Sequence, residues 1–143
     1  MNQIFQITKD ASYTLALIPD EKKNEVLRTV ADAIISNAAS LLEANAADLA
    51  LMERSNPLYD RLQLTQERLE GIASDMRHVS ELPSPLGHIT CDHTLDNGLH
   101  LRRISVPFGV IGMIYEARPN VTVDAAALTL KAGSAVLLRG SGS

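Results

Sequence analysis

Two hydrophobic rhythms divide this chain. Through roughly the first eighty residues, apolar positions recur at helical spacing; after that they alternate or come in short continuous runs. After Ile18-Pro19, Asp20 stands as an N-cap with Glu21 in the first turn, and Leu27, Val30, Ala31, Ile34 and Ile35 share one helical face. Ser40 followed by Glu43 forms a capping-box pattern that opens a second helix, with Leu42, Ala46, Leu49 and Ala50 on one side, ending near Ser55-Asn56-Pro57. Thr65 caps a third helix, with Glu67 near its positive end and Ile72, Met76 and Val79 along its stripe.

The rhythm breaks at Glu81-Leu82-Pro83-Ser84-Pro85-Leu86-Gly87, where two prolines and a glycine remove donors and favour turns. From Ile89 the pattern is strand-like. Asn97-Gly98 between Leu95 and Leu99 predicts a two-residue hairpin turn. Alternation slips by one at Arg102-Arg103, which predicts a bulge or bend there. Val110 to Tyr115 is an apolar run interrupted only by Gly112, predicting a strand covered on both faces. A helix over 122–132 ends at Gly133, and Ser134 to Leu138 reads as a second buried strand. The fold class expected is α/β: a helical segment over 1–84, a β-hairpin over 85–107, and over 108–143 the first βαβ unit of a Rossmann-like parallel sheet, right-handed by default. A parallel sheet needs more strands than this sequence supplies.

Composition narrows the classes. The 143 residues are 45% hydrophobic and 21% charged, as in ordinary globular domains, and the net charge of −4 argues against a nucleic-acid partner. Cys91 is the only cysteine, so neither an intrachain disulfide nor a cysteine-rich metal site is available. The four histidines show no metal-ligand spacing. The amino terminus lacks a signal-peptide pattern, and no run of about 18 apolar residues occurs, so a cytoplasmic, membrane-free protein is expected.

Ligands of open parallel sheets bind at the carboxyl ends of strands, here Glu116-Ala117-Arg118-Pro119-Asn120 and the turn starting Arg139-Gly140-Ser141. Arg118 and Arg139 can each fork onto a phosphate or carboxylate; a structural ion pair is the alternative. Asn120, near a helix start, can donate to an oxygen that gains negative charge or can serve as a cap. Asp124 falls on the same face four residues on, where it can meet a substrate ammonium or simply favour the helix dipole.

The run Pro107-Phe108-Gly109-Val110-Ile111-Gly112, continued through Tyr115-Glu116-Ala117-Arg118-Pro119-Asn120-Val121-Thr122-Val123-Asp124-Ala125-Ala126 and Leu138-Arg139-Gly140, closely resembles the gamma-glutamyl phosphate reductases. That family, also called glutamate-5-semialdehyde dehydrogenase, belongs to the aldehyde dehydrogenase superfamily. The resemblance is to the family's amino-terminal portion. It implies NADPH-dependent reduction of gamma-glutamyl phosphate to glutamate 5-semialdehyde in proline synthesis. It implies that Asn120 is the oxyanion donor, that Glu116, Ala117 and Arg118 pass beside the nicotinamide half of the cofactor, and that Arg139, Gly140 and Ser141 hold its adenosine ribose, with Arg139 favouring the extra phosphate of NADPH. Asp124 as the ammonium contact is an expectation from helical spacing alone. The family's nucleophile is a cysteine that forms a thioacyl intermediate for hydride to reduce. Cys91 precedes the nucleotide-binding strands and does not resemble it; a small packing role is expected instead. The 143-residue chain alone is therefore expected to be inactive, and Gly140-Ser141-Gly142-Ser143 departs in part from the family's usual continuation. The hairpin is expected to join subunits in a homo-oligomer. The alternative reading is a noncatalytic helical or assembly module that keeps only the start of the fold.

Overall fold

The computed structural model describes residues 2–116 and 118–140. Its helices are α1 (Asn2–Ala16), α2 (Asp20–Ser36), α3 (Ala38–Ala50), the one-turn α4 (Tyr59–Leu62), α5 (Gln66–Glu81) and α6 (Pro119–Lys131). The strands are β1 (Ile89–Thr94), β2 (His100–Ile104), β3 (Val110–Ile114) and β4 (Ala135–Arg139).

The core lies where α2, α5 and α6 meet. Leu27 and Ala31 of α2, Ala73 and Met76 of α5 and Ala127 of α6 form one buried cluster, with Ile34, Ile35 and Val79 packed at its margin. The predicted stripes of α2 and α5 thus find each other, although Val30 stays exposed. Leu27, 1% exposed, contributes on the order of 2 kcal/mol by burial alone. Small alanines at the crossing let the three backbones approach closely.

Helix starts follow the predictions unevenly. Thr65 caps α5 as expected, its hydroxyl accepting from the Arg68 N–H at 3.1 Å. Pro19, not Asp20, occupies the cap position of α2, because Asp20 is drawn to another partner, described below. The third helix begins two residues before Ser40, after Asn37, and its inward residues are Leu42, Asn45 and Leu49, while Ala46 and Ala50 face solvent. A polar Asn45 took the place that the apolar pattern gave to alanine, for the reason given in the next subsection.

The hairpin stands off this core. β1 and β2 pair antiparallel, but the turn differs from the two-residue form: Leu95 N–H donates to Leu99 O, Gly98 N–H donates to Leu95 O, and Asp96, Asn97 and Gly98 lie between. Only a residue that takes positive φ closes this three-residue loop, and Gly98 does so at +84°. The bulge lies in β1, between Ile89 and Cys91, rather than at Arg102-Arg103; the slip in one strand's pattern marked an extra residue in its partner. Ser105 ties the neck, donating its hydroxyl to Pro85 O and accepting from His88 N–H.

β3 and β4 pair in parallel with α6 between them, Val110 facing Ala135 and Ile114 facing Arg139. The prediction that β3 is covered on both faces is not met, since it alternates between exposed and half-buried residues, with Ile114 84% exposed, whereas α1 and α6 both pack on the half-buried β4. Gly133 ends α6 at φ +65°, and a Cβ there would come within 2.8 Å of Leu86 Cδ1 and 3.3 Å of Pro107 Cγ, so the hairpin's neck is pressed against the end of α6.

Candidate functional site

The parallel pairing sets the ends of β3 and β4 side by side. Tyr115 N–H donates to Arg139 O at 3.1 Å, which extends the ladder one residue past β3, and the Tyr115 hydroxyl meets Thr122 Oγ1 of α6 at 2.6 Å. That bond fixes the turn between strand and helix from both sides. Gly140 passes over the same ring, where a Cβ would stand 3.7 Å from it. Glu116 and Arg139 are exposed at this edge, and Arg139 joins no ion pair among the described residues. Ala117 and Ser141, both expected at the cofactor, lie outside the described residues.

Arg118 caps α6 by position but not through its side chain, and Pro119 holds the first helical position, where its missing N–H costs nothing. Asn120 is therefore one residue inside the helix, and its side chain does not cap. Its amide donates to Asp124 Oδ2 over 3.4 Å, so the two residues that spacing placed on one helical face also meet each other. An amide nitrogen carries two protons, so one remains for another acceptor. Asp124 is partly buried, and its carboxyl is pushed above its ordinary range, first by burial and then by the charge of Asp75 on α5, against the Asn120 bond.

Arg118 and Asn120 form one wall of a cleft of about 350 Å³; Arg61 of α4 with Gly71 and Asp75 of α5 form the other. The cleft is at the small end of the usual range for ligand sites, roughly 300–1,000 Å³. Arg68, also in the cleft, is committed to structure: its guanidinium donates to Asp60 O, to Gln63 O and to Asp60 Oδ1. Arg61, Arg118 and Asp75 join no ion pair among the described residues. Asn45 explains why α4 is held where it is. Its side chain donates to Leu62 O at 2.8 Å and accepts from Leu64 N–H at 2.7 Å, satisfying two backbone groups of the segment that carries Arg61. Gly71 sits inside α5 with nothing within 4 Å of where its Cβ would be, so the cleft stays open at that point.

Sequence reasoning found Asn120, Asp124 and Arg118 and missed Arg61, Asp75, Gly71 and Asn45. One signal was legible: a glycine in the interior of a good helical pattern, which costs helix stability and calls for a reason. Cys91 is on the hairpin, its sulfur 3.2 Å from His93 Nδ1, and is not part of the cleft. Among the described residues no cluster of histidine, cysteine and carboxylate fits a metal ion, and no helix is long and apolar enough to cross a membrane.

No family model matches the chain. It is 58% identical over 132 residues to the gamma-glutamyl phosphate reductase of Chlorobium phaeovibrioides, covering 92% of this chain and 31% of that protein. It is 52% identical over 140 residues to the same enzyme of Bacteroides thetaiotaomicron, covering 98% of this chain and 34% of that protein. The crystal structure of gamma-glutamyl phosphate reductase from Saccharomyces cerevisiae superposes with a TM-score of 0.91 at 33% identity, over 97% of this chain and 36% of that one. The enzyme from Thermotoga maritima gives 0.87 at 33% identity, over 94% and 33%. The chain is thus homologous to these reductases almost throughout and spans about a third of the length of those it matches.

Proposed function

We propose that this chain is the amino-terminal part of a gamma-glutamyl phosphate reductase, an aldehyde-dehydrogenase-like enzyme that reduces gamma-glutamyl phosphate to glutamate 5-semialdehyde with NADPH on the way to proline. The observation that carries this reading is the identity of 52–58% to named reductases over almost the whole chain, joined to a cleft that presents the free amide proton of Asn120.

In the reaction an acyl carbonyl gains negative charge on its oxygen as a nucleophile adds. Asn120 meets that oxygen with its second amide proton while Asp124 holds the first, so the donor is oriented before the reaction begins. Arg118, two residues before it and on the same cleft wall, sits with the phosphoryl end of the substrate, whereas the family resemblance implies a place beside the cofactor. Asp124, expected from helical spacing to meet the ammonium, here holds the Asn120 amide and adds its charge to the field that an ammonium in the cleft meets. The nucleophilic cysteine belongs to sequence outside this chain, because Cys91 lies on the hairpin.

Whether the edge suits a dinucleotide turns on its donors. Glu116 can accept from a ribose hydroxyl, the Gly140 backbone is exposed, and Arg139 offers a guanidinium, in no ion pair among the described residues, of the kind that favours a 2′-phosphate, so the residues fit NADPH. Bound there, the reduced nicotinamide supplies hydride. The hairpin, with Leu95, Leu99, Leu101 and Ile104 exposed, serves subunit contact in a cytoplasmic homo-oligomer.

The test is oxidation of glutamate 5-semialdehyde in the reverse, phosphate-dependent direction, followed by NADPH absorbance, using the full-length protein that carries this chain. Asn120→Ala should lower kcat by about 100-fold or more, equivalent to about 3 kcal/mol of transition-state stabilisation. The 143-residue chain alone should show no turnover. An inactive full-length protein, or an Asn120→Ala enzyme at the wild-type rate, would overturn the assignment.

A further inference from the structure

Resting on the reaction just proposed, we infer that the cleft between α4, α5 and the start of α6 grips the α-amino-acid end of the substrate, with Asp75 taking its ammonium and Arg61 its α-carboxylate. The reacting carbonyl then lies at Asn120 on the opposite wall.

A gamma-glutamyl group ends in a zwitterion, so selective recognition needs one anion and one cation presented together and not already neutralised by each other. The cleft supplies that pair on separate elements: Arg61 from α4 and Asp75 from α5, neither engaged in an ion pair among the described residues. The neighbouring Arg68–Asp60 pair shows what a committed pair looks like in the same cleft, with two backbone carbonyls taking two further donors of that guanidinium. Arg61 keeps its fork of donors, which matches a carboxylate in two-point fashion. Asp75 acts electrostatically on Asp124, so a cation entering the cleft meets the field of two carboxylates and relieves their repulsion.

Two independent features keep that space open and its rim in place. Gly71 lies on α5 one helical turn before Asp75 and leaves open room where any side chain would intrude. Asn45 spends both faces of a buried amide on Leu62 and Leu64, fixing the backbone beside Arg61 more tightly than an exposed loop requires. Pre-set positions of this kind make charged recognition selective rather than merely attractive.

Three aldehydes separate the contacts in the full-length enzyme: glutamate 5-semialdehyde, 5-oxopentanoate, which lacks only the ammonium, and 4-aminobutanal, which lacks only the carboxylate. Asp75→Asn should raise KM for glutamate 5-semialdehyde by about tenfold or more and leave that for 5-oxopentanoate within about twofold. Arg61→Gln should raise KM for both carboxylate-bearing aldehydes and not for 4-aminobutanal. In each case kcat should stay within about threefold, since the contacts hold substrate and transition state alike. Cyclisation of the amino aldehydes lowers their free concentration equally for every variant, so the ratios to wild type are unaffected. Both side chains are exposed, so neither substitution removes core packing. An active wild type whose variants change equally on all three aldehydes, or not at all, overturns the inference alone. A wild type inactive on all three overturns the reaction assignment and the inference with it.

Discussion

The protein carries two clusters of charge that use α6 at opposite ends, and they are built to opposite rules. At its carboxyl end Lys131, 3% exposed, donates to Asp20 Oδ2 at 2.9 Å and Asn24 Oδ1 at 2.6 Å, tying α6 to α2 across more than a hundred residues of sequence. Asn24 in turn donates to Asp20, and Lys23 lies close enough to act on the same carboxylate. At the amino end Arg61, Arg118 and Asp75 share a cleft without pairing among the described residues. The first arrangement spends the charges of Lys131 and Asp20 in the fold, although among the described residues Asp20 Oδ1 is left buried without a partner and the buried Lys23 joins no ion pair. The second keeps them available. A charged residue's service to the fold or to a ligand is thus told by whether its donors and acceptors are already spent.

The sharpest way to break the comparison is to remove a charge from the spent cluster. Asp20→Ala leaves a buried ammonium with only a neutral amide, and such losses cost about 3 kcal/mol. Because Asp20 is itself partly exposed, a value near the lower end is expected, read as a fall in the urea midpoint at unchanged slope. Removing Asp75 from the open cluster should leave that midpoint nearly unmoved. Equal losses at the two sites would remove the distinction.

Little of this division was legible in the sequence. The stripe of Leu27, Ala31, Ile34 and Ile35 and that of Ile72, Met76 and Val79 were readable because core burial imposes a local period. The parallel strands, the connecting helix and Gly133 at its end were readable for similar reasons of chain direction and φ. What could not be read were pairings set by tertiary distance. Asp20 has the sequence context of an N-cap, and only the approach of Lys131 turns it inward. Asn45 sits where a helix pattern favours an apolar residue, and only the neighbouring backbone of 62–64 makes its amide fit. Arg61 and Asp75 belong to ordinary amphipathic surfaces until α6 closes the cleft beside them. Asn120 and Asp124 were visible because a polar turn between strand and helix, and helical spacing after it, are local patterns.

A pH series sharpens the same contrast, with opposite signs at the two ends. Burial opposes the charge on Asp20, but the bonds from Lys131 and Asn24 and the charges of Lys131 and Lys23 outweigh it and hold the carboxyl below its ordinary value. Its contribution to stability is present above the unfolded pKa and is lost as pH falls through the folded value. Asp124 is shifted upward, by burial and by Asp75, so the folded state binds its proton more tightly than the unfolded chain does. There stability declines as pH rises from the unfolded pKa through the raised folded value. Asp20→Asn should therefore flatten the acid limb of a urea-midpoint profile, and Asp124→Asn should flatten the decline on the higher side. The second change should be the smaller, since the cleft is open to solvent.

The smallest effect tests the idea that open space in the cleft is kept at a cost. Glycine inside a helix is less stable than alanine by about 0.5–1 kcal/mol, through the freedom it loses on folding. No neighbour's close approach repays that cost here, since Gly71 is exposed and a Cβ there meets nothing within 4 Å. Gly71→Ala should therefore stabilise the protein by roughly that 0.5–1 kcal/mol. The added methyl enters the space between Arg61 and Asn120, so a larger side chain at the same place, as in Gly71→Leu, should raise the KM of glutamate 5-semialdehyde while keeping the gain in helix propensity. Stability and substrate affinity would then move in opposite directions at one residue, which packing cannot explain and a ligand can. If both substitutions stabilise and neither alters KM, the cleft is surplus space, and the unpaired charges around it lose their proposed reason for staying unpaired.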